Sequence, residues 1–202
     1  MSAKQPPKVI LFTSAEPEVG KSTTSLSLAR QLALTGRRVI LIEADIHRPC
    51  IAGRAEVAHA PGLTEVLSGI ASVDESIQRD SRAALDLMVA GGQPATHSGS
   101  FGIGAVLDQL RDEYDLIILD APPVVGLADA NVFAAVADAT LMVLQWGRTR
   151  RQVFLFGINE ITKFGGRVDG VILSKVDTRK QAYYGYGDAQ AYTGKAAKAY
   201  QG

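Results

Sequence analysis

At 202 residues the chain is long enough for one sizeable α/β core and too short for two ordinary domains. Lys plus Arg and Asp plus Glu each number 21, so no global field favours an anionic surface, and no nucleic-acid partner is expected. The single cysteine, Cys50, excludes a disulfide framework or a Cys-built metal site within one chain and fits a reducing cytoplasm, while the sequence contains neither a bilayer-length apolar run nor a signal-peptide core near Met1.

In chain order, residues 1 to 7 are a polar lead-in. Val9 to Phe12 is a continuous apolar run of the kind found in a parallel strand buried on both faces. From Ser25 to Leu34 apolar residues recur at helical spacing. Between them, Gly20-Lys21-Ser22 completes the second half of the pattern G-x-x-x-x-G-K-[ST]. A strand feeding a helix N-terminus is the setting in which unpaired N–H groups and the helix dipole favour polyphosphate. Glu18, Val19, Gly20, Lys21, Ser22 and Thr23 form the expected nucleotide-binding turn. Lys21 would neutralise β- and γ-phosphate charge, and the Ser22 hydroxyl would ligate Mg²⁺. The first glycine of the pattern is replaced by Ala15, so the first bend of the loop must suit an L-residue.

Thr35-Gly36 stops the helix, and Arg38 to Asp45 gives a second buried strand that leaves as the loop Asp45-Ile-His-Arg-Pro49. Farther on, Pro61-Gly62 marks a turn, Leu63 to Leu67 a short helix, Ser72 to Ile77 a turn into an edge element, and Leu85 to Ala90 a third strand ended by Gly91-Gly92. A polar, Gly-rich loop covers 93 to 104, followed by a helical face from Ala105 to Leu110. Leu116 to Asp120 is a central strand closed by Ala-Pro-Pro. A helix near 128 to 137, a strand from Thr140 to Leu144, a helix over 151 to 164 and a strand from Val168 to Leu173 complete the alternation. That order predicts a mostly parallel sheet with helices on both faces, with ligands outside the carboxyl ends of the strands. The domain reading is 1 to 177 for this unit and 178 to 202 for a flexible tyrosine-rich tail.

Three acids fall at the same sheet edge as the loop. Glu43 and Asp45 lie two apart at one strand end and so share a face, and Asp120 ends another strand. A carboxylate there is costly unless a cation pairs with it, and Mg²⁺ beside a phosphate loop would supply one. The structural alternative is that such acids cap helix N-termini or pair with Arg37, Arg38 or Arg48. His47, His59 and His97 have no metal-ligand spacing. Five of the six tyrosines, Tyr183, Tyr184, Tyr186, Tyr192 and Tyr200, crowd into the end of the chain, which reads either as an adhesive or merely flexible end or, beside an ATP site, as a phosphoacceptor segment.

Leu41-Ile-Glu-Ala-Asp-Ile-His-Arg-Pro49 after the phosphate loop, followed by Tyr114-Asp-Leu-Ile-Ile-Leu-Asp-Ala-Pro-Pro-Val124, resembles the bacterial protein-tyrosine kinases of capsule and exopolysaccharide synthesis, P-loop proteins with Walker A, A′ and B motifs. The resemblance runs from about Lys8 to Asp177 and continues into the tyrosine cluster. It implies a P-loop NTPase fold and an ATP- and Mg²⁺-dependent tyrosine autokinase. Lys21 and Ser22 would bind ATP and Mg²⁺, Asp45 and Asp120 would serve the metal, and the first acid of A′ would activate the tyrosine hydroxyl. That acid is Glu43 here, where the family usually has Asp, so either Glu43 or Asp45 could be the base. Ser174 to Asp177 fall where P-loop relatives contact the base of the nucleotide.

The family's Glu-x-x-Arg-x-x-Arg helix before the first strand and its Asn-Pro pattern near 93 to 104 have no counterpart in this sequence, and a monomer is expected of residues 1 to 202 alone. The implied partners are a membrane-spanning chain-length or co-polymerase protein, fused or separate, as activator at the inner face of the plasma membrane, and a second copy of the chain whose tail is modified in trans. Two other functions share the loop: an ATPase switch of the partitioning and cell-division kind, and a non-catalytic nucleotide-binding scaffold. The switches carry a signature lysine where this chain has Glu16.

Overall fold

A computed structural model describes residues 6–92, 102–125 and 129–183, with the side chains of 181–183 left undescribed. The strands are β1 (Val9–Ser14), β2 (Val39–Glu43), β3 (Gln78–Arg79), β4 (Asp86–Met88), β5 (Leu116–Asp120), β6 (Ala139–Gln145) and β7 (Gly170–Ser174). They form one sheet in the order β3-β4-β2-β5-β1-β6-β7. Only the β3–β4 pairing is antiparallel. The apolar runs of β2 and β5 are buried at every position, as strands covered on both faces require.

The helices are α1 (Lys21–Leu34), α2 (Ile51–Ala55), α3 (Leu63–Leu67), α4 (Ile103–Arg111), α5 (Asp129–Val136), α6 (Arg151–Lys163) and α7 (Thr178–Tyr183). Leu26, Ala29 and Ala33 of α1 and Ile51 and Ala55 of α2 pack with Phe12, Leu41 and Ile118 on one face. Leu63 of α3, Val106 and Leu110 of α4, Phe133 of α5 and Ile161 of α6 pack with Leu11, Ile42 and Leu119 on the other. Alternation along each strand sends neighbouring residues to opposite cores.

The structure departs from the expected elements in four places. The third strand is Asp86–Met88 rather than 85 to 90, because the carbonyls of Val89 and Ala90 turn to accept the N–H groups of Leu63 and Thr64 at the start of α3. α1 begins at Lys21, four residues before its apolar periodicity. α2 lies where irregular chain was expected. The first six residues of the expected tail form α7, whose opening N–H groups at Arg179 and Lys180 are accepted by Asp177 Oδ1 at 3.1 and 3.3 Å. Tyr184, Tyr186, Tyr192, Tyr200 and most of the 93-to-104 loop lie outside the described residues.

Candidate active site

The loop between β1 and α1 turns through two left-handed residues, Glu18 (φ 63°) and Gly20 (φ 95°). No acidic side chain occupies the first turn of α1, and no side chain caps it. Within the helix the first N–H groups lack carbonyl partners, so those at Lys21, Ser22 and Thr23 are available to an anion in the loop. Ala15, in place of the first glycine, is buried. Its Cβ faces Gly157 of α6, where an added Cβ would lie 3.0 Å away. A glycine on the opposing helix therefore makes room for the extra methyl.

A cavity of about 360 Å³ opens over the loop, bordered by Glu18, Gly20, Lys21, Ser22, Thr23, Asp45, Arg48, Cys50, Arg54 and Lys175 among others. Within it the Lys21 ammonium donates to Asp120 Oδ1 at 2.9 Å and lies 3.6 Å from Asp45 Oδ2. Lys21 and Asp45 are each 7% exposed and Asp120 is fully buried. One cation thus serves two carboxylates, a balance that leaves a net negative charge in a poorly solvated place. The second oxygen of Asp120 is buried and has no hydrogen-bond partner among the described residues. A buried carboxylate oxygen of this kind calls for a donor or a cation, and Mg²⁺ or its bound water fits there. Among the described residues no three His, Cys, Asp or Glu side chains stand together as a metal cage. That suits an ion that draws most of its ligands from phosphate and water. Ser22 and Asp45 border the cavity, and Asp120 reaches it through Lys21.

Glu43 is placed differently from the other two acids. Glu43 and Asp120 face one another across the β2–β5 pairing, yet Glu43 Oε1 accepts the N–H groups of Cys50 and, at 2.6 Å, Ile51, while Oε2 accepts that of Ala90 at 3.1 Å. It caps α2 and ties it to the end of β4. Burial pushes its carboxyl above the ordinary carboxylate range against the pull of these three N–H groups, and the Asp120 charge adds to the rise. The spacing of two put Glu43 and Asp45 at one strand end, but the chain turns after Glu43 and only Asp45 reaches the Lys21 cavity. Asp45 Oδ1 also accepts the Arg48 N–H at 3.2 Å, a backbone contact rather than the expected guanidinium pair.

Arg54, Ser174 and Lys175 touch the loop from other elements. The Arg54 guanidinium borders the cavity and donates to Thr23 Oγ1 at 2.7 Å. No local pattern marks it, since α2 that carries it was not recognised. Glu16 accepts the Thr149 hydroxyl at 2.6 Å. His47 Nε2 lies 3.2 Å from Asp129 Oδ2, outside the cavity. Ser174 and Lys175 reach the carbonyls of Val19 and Glu18.

A mostly parallel sheet with a Gly-Lys-Ser loop at the carboxyl end of β1, beside the central β5, a lysine held by acids from two neighbouring strand ends, and helices on both faces define a P-loop NTPase. The profile of the AAA domain family matches residues 7–169. Tyrosine-protein kinase YwqD of Bacillus subtilis (strain 168) is 30% identical over 182 residues, covering 89% of this chain and 77% of the relative. The succinoglycan biosynthesis transport protein ExoP of Rhizobium meliloti (strain 1021) is 32% identical over 209 residues, covering 99% of this chain; the chain spans only 26% of that relative's length. The crystal structure of the VpsO kinase domain superposes with a TM-score of 0.80 at 31% identity, covering 87% of this chain and 88% of that one. The chain belongs to the AAA domain family and, within it, to the bacterial tyrosine-protein kinases.

Proposed function

We propose that this chain transfers the γ-phosphoryl group of ATP to tyrosine hydroxyls of its own tail, acting in trans between copies, within the machinery of exopolysaccharide or capsule polymerisation and export. The observation that carries the reading is the Lys21 ammonium shared by Asp120 and Asp45 at the floor of a cavity built on the phosphate loop. Kinship with YwqD and with the VpsO kinase domain supports the reaction type.

In this reading the N–H groups at Glu18 to Thr23 and the Lys21 ammonium hold the phosphates. Ser22, Asp45 and Asp120 would hold Mg²⁺, which when bound would supply positive charge beside the transferring group. The tyrosine oxygen forms a bond to phosphorus as the bond to the ADP oxygen breaks, and the phenolic proton passes to a carboxylate. Asp45 is the better placed base, because it borders the cavity and Glu43 does not. Tyr183, Tyr184, Tyr186, Tyr192 and Tyr200 are the acceptors. Residues 1–177 form the kinase unit and 178–202 the acceptor segment.

Among the described residues no helix is long and apolar enough to cross a membrane. We place the domain at the inner face of the plasma membrane, held and activated by a membrane-spanning co-polymerase partner or fused segment. The ATPase-switch reading receives no comparable support, since the Glu16 carboxylate binds the Thr149 hydroxyl and offers no cation to a partner's phosphates.

The test is intact mass before and after incubation with Mg-ATP, with the chain alone and with a candidate activating segment. Increments in phosphate units, mapped to the five tyrosines and absent from Lys21→Met, are expected. ATP turnover without any increment would favour the switch, and binding with neither would favour the scaffold.

A further inference from the structure

The end of β7 touches the phosphate loop through two side chains that the chemistry above does not use. Ser174, half-buried, has its hydroxyl oxygen against the carbonyl of Val19 and 3.0 Å from that of Leu144. The Lys175 ammonium donates to the Glu18 carbonyl at 2.6 Å. Both partners lie in the loop just before Gly20, and a Cβ built on Gly20 would lie 3.6 Å from Lys175 Cε and 3.7 Å from the Ser174 side chain. Lys175 itself adopts a left-handed backbone (φ 52°), uncommon for a non-glycine residue, matching the left-handed Glu18 that it grips.

We propose that Ser174 and Lys175 form a latch that sets the phosphate loop in its anion-ready shape. A loop that presents N–H groups inward must turn its carbonyls outward, and outward carbonyls need donors. The latch supplies them at Glu18 and Val19. Ser174 does not border the nucleotide cavity, so it acts on the nucleotide only through the loop and is a positioning residue. Lys175 borders the cavity as well, so its replacement alone would mix loop support with direct charge. Only Val176 and Asp177 separate Lys175 from the start of α7 at Thr178. This role rests on the kinase reading only where it concerns Mg-ATP.

The deciding measurement is amide hydrogen exchange of the full chain without nucleotide, for wild type, Ser174→Ala, Ser174→Thr and Lys175→Met. Exchange across 18–22 is expected to quicken about three- to tenfold in Ser174→Ala and in Lys175→Met, the range for one net hydrogen bond, with α4 unchanged. Ser174→Thr should restore it. In turnover, KM for Mg-ATP should rise by a similar factor in Ser174→Ala while kcat stays within about twofold. Unchanged exchange over 18–22 in both variants, or a quickening spread evenly over the molecule, would overturn the latch. A wild type that binds no Mg-ATP would overturn the kinase reading and leave the exchange result to decide the latch. Should Ser174→Ala fail to fold, the exchange of Lys175→Met decides.

Discussion

The Lys21 ammonium at the start of α1 sits 2.9 Å from Asp120 Oδ1 at the end of β5, while the other oxygen of the same carboxylate is buried with no partner among the described residues. One half of Asp120 holds the lysine and the other half is set for a donor that the described residues do not supply. Asp120→Asn should therefore separate two properties. Nucleotide affinity measured without Mg²⁺ is expected to change little, since Lys21 keeps Asp45. Mg²⁺-dependent phosphoryl transfer should fall by about a hundredfold or more, in keeping with the loss of a charge-stabilising group at a transferring phosphate. Lys21→Met should abolish binding outright. It should also lower stability by about 3 kcal/mol, because two buried carboxylates then share no cation. Binding by calorimetry with and without Mg²⁺ checks both variants; equal loss in both conditions for Asp120→Asn would remove Asp120 from the metal.

Arg54 offers the cavity a guanidinium whose recorded partner is a neutral hydroxyl, that of Thr23. Arg30, Arg79, Arg82 and Arg111, by contrast, each pair with a carboxylate. A planar donor fork without an anion beside a phosphate loop is suited to phosphate. Arg54→Ala is expected to raise KM for Mg-ATP about tenfold with kcat nearly kept, and Arg54→Lys to recover part of the loss. A fall in kcat at unchanged KM would place Arg54 on the acceptor side instead.

Far from the site, Arg30 on α1 grips the buried Asp80 with two bonds, 2.6 and 3.2 Å. Burial alone would push the Asp80 carboxyl up, but the Arg30 fork, the Arg82 N–H and both guanidinium charges hold it below the ordinary range. A carboxyl lowered in the folded state contributes stability above its unfolded value and loses it as pH falls through the folded one. Acid unfolding of the wild type should therefore steepen below about pH 4. Arg30→Ala, which strands a buried charge, should cost about 3 kcal/mol at neutral pH and flatten that acid limb. Denaturant melts across pH 3 to 7 read both effects.

Glu43 carries the opposite sign. Its carboxyl is raised by burial and by Asp120, so its contribution favours the fold at low pH and declines as pH rises through the raised value. Glu43→Gln removes that decline but leaves one of the three N–H groups facing an amide donor, at a cost of about 1–3 kcal/mol. Because α2 is then released, KM for Mg-ATP should rise through Arg54, while the acid limb of the pH–rate profile persists if Asp45 is the base. Disappearance of that limb in Glu43→Gln would make Glu43 the base after all.

The strands were legible because β1, β2 and β5 are unbroken apolar runs, and the site edge because acids at strand ends have few other uses. α2 was not, because its cap is no local Ser, Thr or Asp. It is the carboxylate of Glu43, seven and eight residues upstream, and a five-residue helix has too little periodicity to show. Spacing alone set Glu43 and Asp45 on one face, but the strand ends at Glu43, so one carboxylate meets backbone amides and the other an ammonium. The latch was equally hidden, since Ser174 and Val19 lie 155 residues apart and hydroxyl-to-carbonyl contacts leave no pattern in sequence.

Ala15 and Gly157 make one further pair that spacing alone would miss. A Cβ on Gly157 would stand 3.0 Å from Ala15 Cβ, 3.2 Å from Val124 Cγ2 and 3.3 Å from Met142 Cε, all of them buried side chains. None is the free end of a flexible surface chain, so the space cannot open cheaply. Gly157→Ala gains about 1 kcal/mol of helix propensity in α6 and loses about 1–3 kcal/mol to overpacking. The net expectation is a modest loss of stability together with a displaced start of the phosphate loop and weaker nucleotide binding. The pairing predicts its own rescue. Ala15→Gly in the same chain restores the glycine of the loop pattern and removes the methyl that Gly157→Ala meets, so the double variant should bind nucleotide better than Gly157→Ala alone. Thermal melts and nucleotide titrations of the four members of this cycle check it; strictly additive effects would mean that the two positions do not share one space.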